Sequence, residues 1–287
     1  MITANRTRPM HVFSVDVEDY FQVSAFEKCV SPKNWHEYPS RVEENTRKLL
    51  ALLDKHGVRG TFFVLGWVAE RYPRLVVEIL RSGHEIGSHG YAHRLIYTQT
   101  PEEFRADIRR SADILGNIVG EPISAYRAPS FSITPASRWA LGILCEEGFT
   151  VDSSVVPVYH DLYGMPGAEP GLHRLETPSG TIWEFPPAVY PLWGKVMLPV
   201  GGGGYFRIYP FSLSAGCLRR LERKRPPFMF YVHPWEVDPE QPRLPAPPKS
   251  RFRHYWNLRR NHEKLDRLLK TFRFGSIREV LAERNSS

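Results

Sequence analysis

A chain of 287 residues with 42% hydrophobic side chains can bury a substantial core as one large α/β domain or two small ones, which excludes a disordered or fibrous protein. The formal charge of +7 admits an anionic partner, a glycan or a membrane surface; no nucleic acid partner is expected, because Lys and Arg are scattered and no helix-turn-helix, zinc-finger or aromatic RNA-binding pattern accompanies them. Cys29, Cys145 and Cys217 are far apart and outside any C-x-x-C, so they read as free thiols, and a polar Met1 to Met10 with no apolar run of spanning length predicts a cytosolic chain.

Val12 to Val17 reads as a first strand, apolar on both faces as in the interior of a parallel sheet or barrel, and it ends in Asp16, Glu18 and Asp19. Helical spacing at Leu49, Leu50, Leu52 and Leu53 predicts a helix over 42–56, closed by Gly57. Strand two follows at 60–65. A helix over 67–82 broken near Pro73 leads to a short strand at 83–87 that delivers His89 and His93. Pro101, Glu102 and Glu103 open a helix running to about Val119. A strand end at 125–130, a helix over 135–147 and a β-prone run at 149–154 continue the alternation, and each strand leaves polar groups at one end. That is where α/β sheets and barrels gather side chains from several strands.

From Val155 to Gly204 the composition turns to Pro, Gly and aromatics, which predicts loops and short strands forming a wall or lid. The four glycines 201–204 lack a following Gly-Lys-Ser/Thr, so they predict a flexible or closely packed loop and not a phosphate site. A helix near 213–223, an apolar strand at 228–233 ending on His233, a Pro-rich loop at 238–248, a basic amphipathic helix over 256–270 and a short last helix at 277–283 complete the chain.

His89 and His93 are four residues apart, a spacing that puts two imidazoles on one face if the segment is helical and lets them share one divalent cation. Hydrolytic zinc keeps three protein ligands and one position for water, so a carboxylate is needed from elsewhere, and the end of the first strand offers one.

The ordered series Ser-Val-Asp-Val-Glu-Asp (14 to 19), Ser-His-Gly-Tyr-Ala-His (88 to 93), Arg-Ala-Pro-Ser (127 to 130), Val-Asp-Ser-Ser (151 to 154) and Tyr-Val-His (231 to 233) resembles the five motifs of the NodB-homology polysaccharide deacetylases, carbohydrate esterase family 4. The Asp-Val-Glu-Asp-Tyr-Phe opening and the Gly-Gly-Gly-Gly-Tyr-Phe-Arg stretch further resemble the exopolysaccharide-locus branch, some of it associated with exosortase systems. The resemblance implies an α/β fold, a distorted (β/α)7 barrel, as a single domain over 1–287 whose part from about 155 to 287 is an extension that completes the barrel. It also implies a divalent metal, zinc, and removal of N-acetyl groups from an N-acetylhexosamine-containing polysaccharide or its precursor. A cytosolic enzyme would meet that substrate before export, at the inner face of the membrane, which makes peripheral membrane association an expectation. Carried over residue by residue, Asp16 is the general base, Arg127 holds it, the Ser130 backbone N–H faces the oxyanion, His233 is the acid and Asp152 tunes it. His89 and His93 bind the metal. Val17 stands where the family commonly has a second adjacent aspartate, so the third ligand is open: Asp19 is the expected one and Glu18, on the same strand face as Asp16, the alternative. Two other readings stay beside this one: hydrolysis of small cyclic amides or imides on the same fold, and a glycan-binding protein without catalysis.

Overall fold

The computed structural model describes residues 8–160, 162–193 and 196–286. Its centre is a mostly parallel sheet in which β1 (His11–Val17), β2 (Thr61–Val64), β3 (Glu85–Ser88), β4 (Ala125–Tyr126), β5 (Val151–Asp152), β7 (Gly180–Glu184) and β10 (Met229–Val232) run the same way, in the order β10-β1-β2-β3-β4-β5-β7. β6 (His173–Thr177) adds an antiparallel edge to β7, and β11 (Phe274–Gly275) pairs with the start of β1.

Closure comes from short bridges beyond β7. Pro187 pairs with Met229, Gly202 pairs with Tyr231, and Tyr231 N donates to Gly201 O at 2.7 Å. These contacts join the far side of the sheet back to β10, giving a distorted (β/α)7 barrel. The glycines are needed at this seam: a Cβ on Gly202, whose φ is +130°, would stand 1.9 Å from Tyr231 O. Of the two conformations expected for the glycine run, the structure shows the closely packed one.

Helices cover the outside: α1 (Val42–Lys55), α2 (Gly66–Arg71), α3 (Pro73–Arg81), α4 (Pro101–Val119), α5 (Trp139–Glu146), α6 (Gly203–Ile208), α7 (Phe211–Lys224), α8 (Pro248–Tyr255), α9 (Leu258–Thr271) and α10 (Ile277–Asn285). Pro73 breaks the second predicted helix into α2 and α3, as its missing N–H requires. Thr100 and Glu103 form a reciprocal cap on α4, and Gly120 ends it in the left-handed conformation. The predicted wall over 155–204 contains β6, β7 and a separate two-stranded ribbon of β8 (Val189–Trp193) and β9 (Val196–Pro199). Among the described residues no helix is long and apolar enough to cross a membrane, and the three cysteines are unpaired.

Because β1 is flanked by β2 and β10 and buried along its whole length, its side chains have no water on either face. His11 is therefore fully buried: it stacks on Phe228 at 3.6 Å, and its Nδ1 accepts from Phe228 N at 3.2 Å. Burial outweighs the nearby Glu222 carboxylate and pushes the imidazole down to about 4. The unfolded chain therefore takes up a proton that the folded chain refuses. This contribution to stability is fully present above about pH 6.5 and is lost as pH falls toward about 4. Urea titrations across that window should show His11→Gln reducing the pH slope of stability by one proton's share, up to about 1.4 kcal/mol per pH unit, whatever its absolute stability.

Candidate metal and catalytic centre

The strand ends deliver their polar groups into one cleft of about 230 Å³, bordered by Asp16, Glu18, His89, His93, Ser130 and His233. Alternation along β1 turns Asp16 and Glu18 to the same face and Val17 to the other. His89 follows β3 directly. His93 is reached through a loop and not a helix: Gly90 and His93 have φ of +71° and +52°, and Gly66 N and Trp67 N donate to Gly90 O and Tyr91 O at 2.8 and 3.1 Å. The two imidazoles still face each other, with ring centroids 5.4 Å apart.

Glu18, His89 and His93 each offer one ligand atom, and these atoms lie within 4.8 Å of one another. All three residues are buried. His89 Nδ1 lies 2.8 Å from Arg127 O, which takes up that nitrogen as an N–H donor and leaves Nε2 with a lone pair. Trp235 Nε1 donates to Glu18 Oε1 at 3.1 Å, which orients the carboxylate. Its other oxygen, Oε2, is 2.7 Å from His93 Nε2 yet has no partner in hydrogen-bond geometry. A buried carboxylate oxygen in that state, converging with two imidazole nitrogens, fits a divalent cation. The three donors match the set that holds hydrolytic metals with open positions.

Asp19, the expected ligand, is not part of this group. Its Oδ1 accepts from Tyr20 N at 2.9 Å, and its Oδ2 accepts from Ser40 Oγ, Arg41 N and Val42 N at 2.6, 2.9 and 3.2 Å. The carboxylate thus caps the N-terminus of α1, where unpaired amides and the helix dipole favour an anion. Glu18, the expected alternative, stands with the histidines because the pleat returns its side chain to the face of Asp16.

Arg127 is fully buried and donates from Nη1 to Asp16 Oδ1 at 2.5 Å, while its Nη2 donates to Ser153 Oγ at 2.9 Å. The expected contact of Arg127 with Asp16 is therefore present. His233 enters from the neighbouring strand, β10, with Nε2 at 3.8 Å from Asp16 Oδ2 and 3.7 Å from Glu18 Oε1. Ser130 sits in the left-handed region at φ +51°, and its hydroxyl lies 2.8 Å from Ser24 Oγ. Among the described residues no intramolecular hydrogen bond uses the Ser130 N–H, whereas those of Phe131 and Ser132 donate to Ala128 O and Pro129 O.

The carboxylate on His233 is Glu236 and not Asp152. His233 Nδ1 lies 2.7 Å from Glu236 Oε1, and Arg207 Nε donates to Glu236 Oε2 at 2.7 Å. Burial alone would disfavour the imidazolium, but the Glu236 hydrogen bond and the charges of Glu18, Glu236 and Asp16 carry His233 up to about 9. Arg207 and His233 in turn hold Glu236 below the usual carboxylate range against its burial. Asp152 instead accepts from Ser154 Oγ at 2.6 Å and lies beside Glu184, and burial pushes both carboxyls up. Its place is structural: Ser154 Oγ also accepts from Ala128 N at 2.8 Å and so steadies the turn that carries Arg127.

Sequence reasoning gives no role in holding the site's carboxylates and imidazole to Glu236, Arg207 or Trp235, although Trp235 reads there as one of several aromatics able to stack on sugar rings. One signal was available: Glu236 stands three residues after His233, the spacing of a reciprocal cap, and His233 N donates to Glu236 Oε1 at 3.0 Å. Arg207 closes the Gly-Gly-Gly-Gly-Tyr-Phe-Arg stretch singled out in the sequence, but its reach to Glu236 from α6 is not read there.

Residues 33–143 match a family model described as "Polysaccharide deacetylase", and residues 153–282 match a "Domain of unknown function (DUF3473)". A peptidoglycan-N-acetylglucosamine deacetylase of Bacillus cereus is 37% identical over 98 residues, 34% of this chain and 36% of that protein. The peptidoglycan-N-acetylmuramic acid deacetylase PdaC of Bacillus subtilis is 32% identical over 93 residues, 32% of this chain and 20% of that protein. The matched stretch thus spans about a third of the first relative's length and a fifth of the second's. Among solved structures, one from Mycobacterium smegmatis described as a polysaccharide deacetylase superposes with a TM-score of 0.63 at 18% identity, over 96% of this chain and 89% of that one. A peptidoglycan N-acetylglucosamine deacetylase gives 0.52 at 18% identity, over 94% and 87%.

The geometry separates Glu18 from Asp19 in solution. Equilibrium dialysis against a divalent metal should show Glu18→Gln and His89→Ala losing the bound ion while Asp19→Asn keeps it. Asp19→Asn should instead cost about 1–2 kcal/mol of stability in urea, the size of a lost helix cap. Metal loss in Asp19→Asn with retention in Glu18→Gln would reverse the assignment.

Proposed function

From the premise that the chain carries a polysaccharide deacetylase domain of the NodB-homology type, carbohydrate esterase family 4, we propose that it is a metal-dependent hydrolase that removes N-acetyl groups from an N-acetylhexosamine-containing polysaccharide or its precursor. The observation that carries the reading is the convergence of Glu18, His89 and His93 beside an arginine-held Asp16 and a cationic His233 in one cleft. Relatives named as peptidoglycan deacetylases support a glycan substrate. The opening motif at 16–21 and the glycine run before Tyr205 favour an exopolysaccharide among glycans. We take the chain as one domain, because His233, Glu236 and Arg207 from the second matched stretch complete the cleft that the first begins.

We assign the metal site to Glu18, His89 and His93, and the ion to zinc, for which two imidazoles and one carboxylate are an established hydrolytic donor set. Bound there, the cation supplies Lewis-acid polarisation of the amide carbonyl and a lowered pKa for water. The chain's own residues do the rest. Asp16, fixed by Arg127, accepts the proton of the attacking water. The Ser130 N–H, free of any internal bond among the described residues, donates to the carbonyl oxygen as it gains charge. An amine anion is a poor leaving group, so His233, kept protonated by Glu236, gives its proton to the departing nitrogen.

Acetate release from N-acetylglucosamine oligosaccharides tests the reading directly. Asp16→Asn should retain metal and lose at least about 100-fold in turnover, the scale of a lost general base. Turnover of hydantoin-like imides without acetate release would move the chain to cyclic amide chemistry, and bound glycan with no turnover in metal-loaded protein would leave only binding.

Glu236 has a separate signature. Because the acid must be protonated, activity falls as pH rises through the pKa of His233, and Glu236 holds that pKa up. Glu236→Gln should therefore shift the alkaline limb of the kcat profile to lower pH, whereas Asp152→Asn should leave that limb in place.

A further inference from the structure

The ribbon β8–β9 is built unlike a solvated hairpin. A two-stranded ribbon has no second sheet to cover it and normally alternates apolar with polar residues. Here the nine strand residues, Val-Tyr-Pro-Leu-Trp and Val-Met-Leu-Pro, carry no charge, and the Tyr190 hydroxyl and the Trp193 indole N–H are their strongest polar side-chain groups. The base is anchored, with Val189 packed against Phe131, Val156 and Val158. The far end is not: Leu192 is 56%, Trp193 88% and Val196 58% exposed.

Beside the ribbon runs a band of cations. α7 packs against β8, and Arg220 and Lys224 border the same hollow as Tyr190 and Pro191. Arg219, Arg220, Arg223 and Lys224 are exposed, and among the described residues none lies within ion-pair distance of a carboxylate. The acidic groups nearby are engaged elsewhere: Glu222 turns inward to Arg8 and His11, and Glu169 pairs with Arg225 at 3.7 Å.

We propose that the β8–β9 ribbon and the C-terminal half of α7 seat the protein on an anionic lipid surface, with Leu192, Trp193 and Val196 inserted at the interface and the α7 cations on the headgroup phosphates. An exposed Trp flanked by aliphatic residues suits the boundary between headgroups and acyl chains, and a basic cluster behind it suits anionic lipid. Charge complementarity selects the occupant, since the cations face outward unneutralised next to an apolar tip. The base of the ribbon shares Phe131 with the cleft wall, and Tyr231 of that wall packs against it, so the seat lies beside the cleft. This surface stands apart from the hydrolytic reading and is tested without turnover.

The test is co-sedimentation of the full chain with vesicles rich in phosphatidylglycerol and with vesicles of phosphatidylcholine alone, at low and high salt. Binding is expected to the anionic vesicles, weakened by salt. It should fall at least about tenfold in Leu192→Ser/Trp193→Ser and in Arg220→Glu/Lys224→Glu, since apolar insertion and charge attraction both contribute. Unchanged circular dichroism would show that these exposed substitutions leave the fold intact. Trp193→Phe should still bind but lose part of the fluorescence quenching by bromine-labelled acyl chains. Equal binding of wild type and the two double variants overturns the proposal. So does the absence of binding to anionic vesicles at low salt, the outcome expected if the face serves a protein partner.

Discussion

The pleat at the end of β1 governs the site. Three carboxylates fall within four residues, and strand alternation sends Asp16 and Glu18 into the cleft while the chain turns Asp19 to the start of α1. Each is then fixed by a different kind of donor: Asp16 by a buried guanidinium, Glu18 by an indole N–H on one oxygen, Asp19 by backbone amides and a serine hydroxyl. Only Glu18 is left with a buried oxygen lacking a hydrogen-bond donor, and that oxygen is the one facing the histidines. Inserting or deleting one residue in this strand end would exchange these assignments wholesale.

Two fully buried arginines hold the remaining chemistry in place. Arg127 comes from the end of β4 and fixes Asp16; Arg207 comes from α6 and fixes Glu236. Arg207 also donates to the carbonyls of His254, Trp256 and Arg253, so the end of α8 and the residue that follows it are tied to the same group. Breaking a buried pair by removing one partner typically costs about 3–5 kcal/mol, because the other charge is left unpaired. Arg127 lies in the first matched stretch, while Arg207 and Glu236 lie in the second, so neither stretch alone supplies both sides of the cleft.

Much of this was legible in the sequence because it is local. Apolar runs gave the parallel strands, caps and proline gave the helix ends, and polar residues at strand ends marked the mouth of the barrel. The alternation that selects Glu18 was also local, yet Asp19 was the expected ligand because it immediately precedes the position where the family's chain turns away from the strand. The actual partner of Asp19 lies across a loop at residues 40–42, which no spacing rule reveals. The spacing of the histidine pair would suit one face of a helix, but the pair is held by a left-handed turn, since tertiary bonds from α2 fix Gly90 and Tyr91. The glycine-rich stretch ending on Arg207 was legible, but its contact with Glu236 was not, because that depends on α6 lying beside the turn after β10.

The choice of Glu236 over Asp152 follows from the cost of buried charge. Asp152 has hydroxyl and amide donors but shares its pocket with a second carboxyl, Glu184, and among the described residues no cation pairs with either. Burial pushes both carboxyls up, and among the described residues Asp152 makes no hydrogen bond to His233. Glu236 is just as deeply buried but has the Arg207 guanidinium on its far oxygen, so it stays ionised while hydrogen-bonded to His233. A buried carboxylate that stays ionised beside an imidazolium needs a cation of its own. Glu236 is the carboxylate hydrogen-bonded to His233 Nδ1, and Arg207 supplies that cation on its other oxygen.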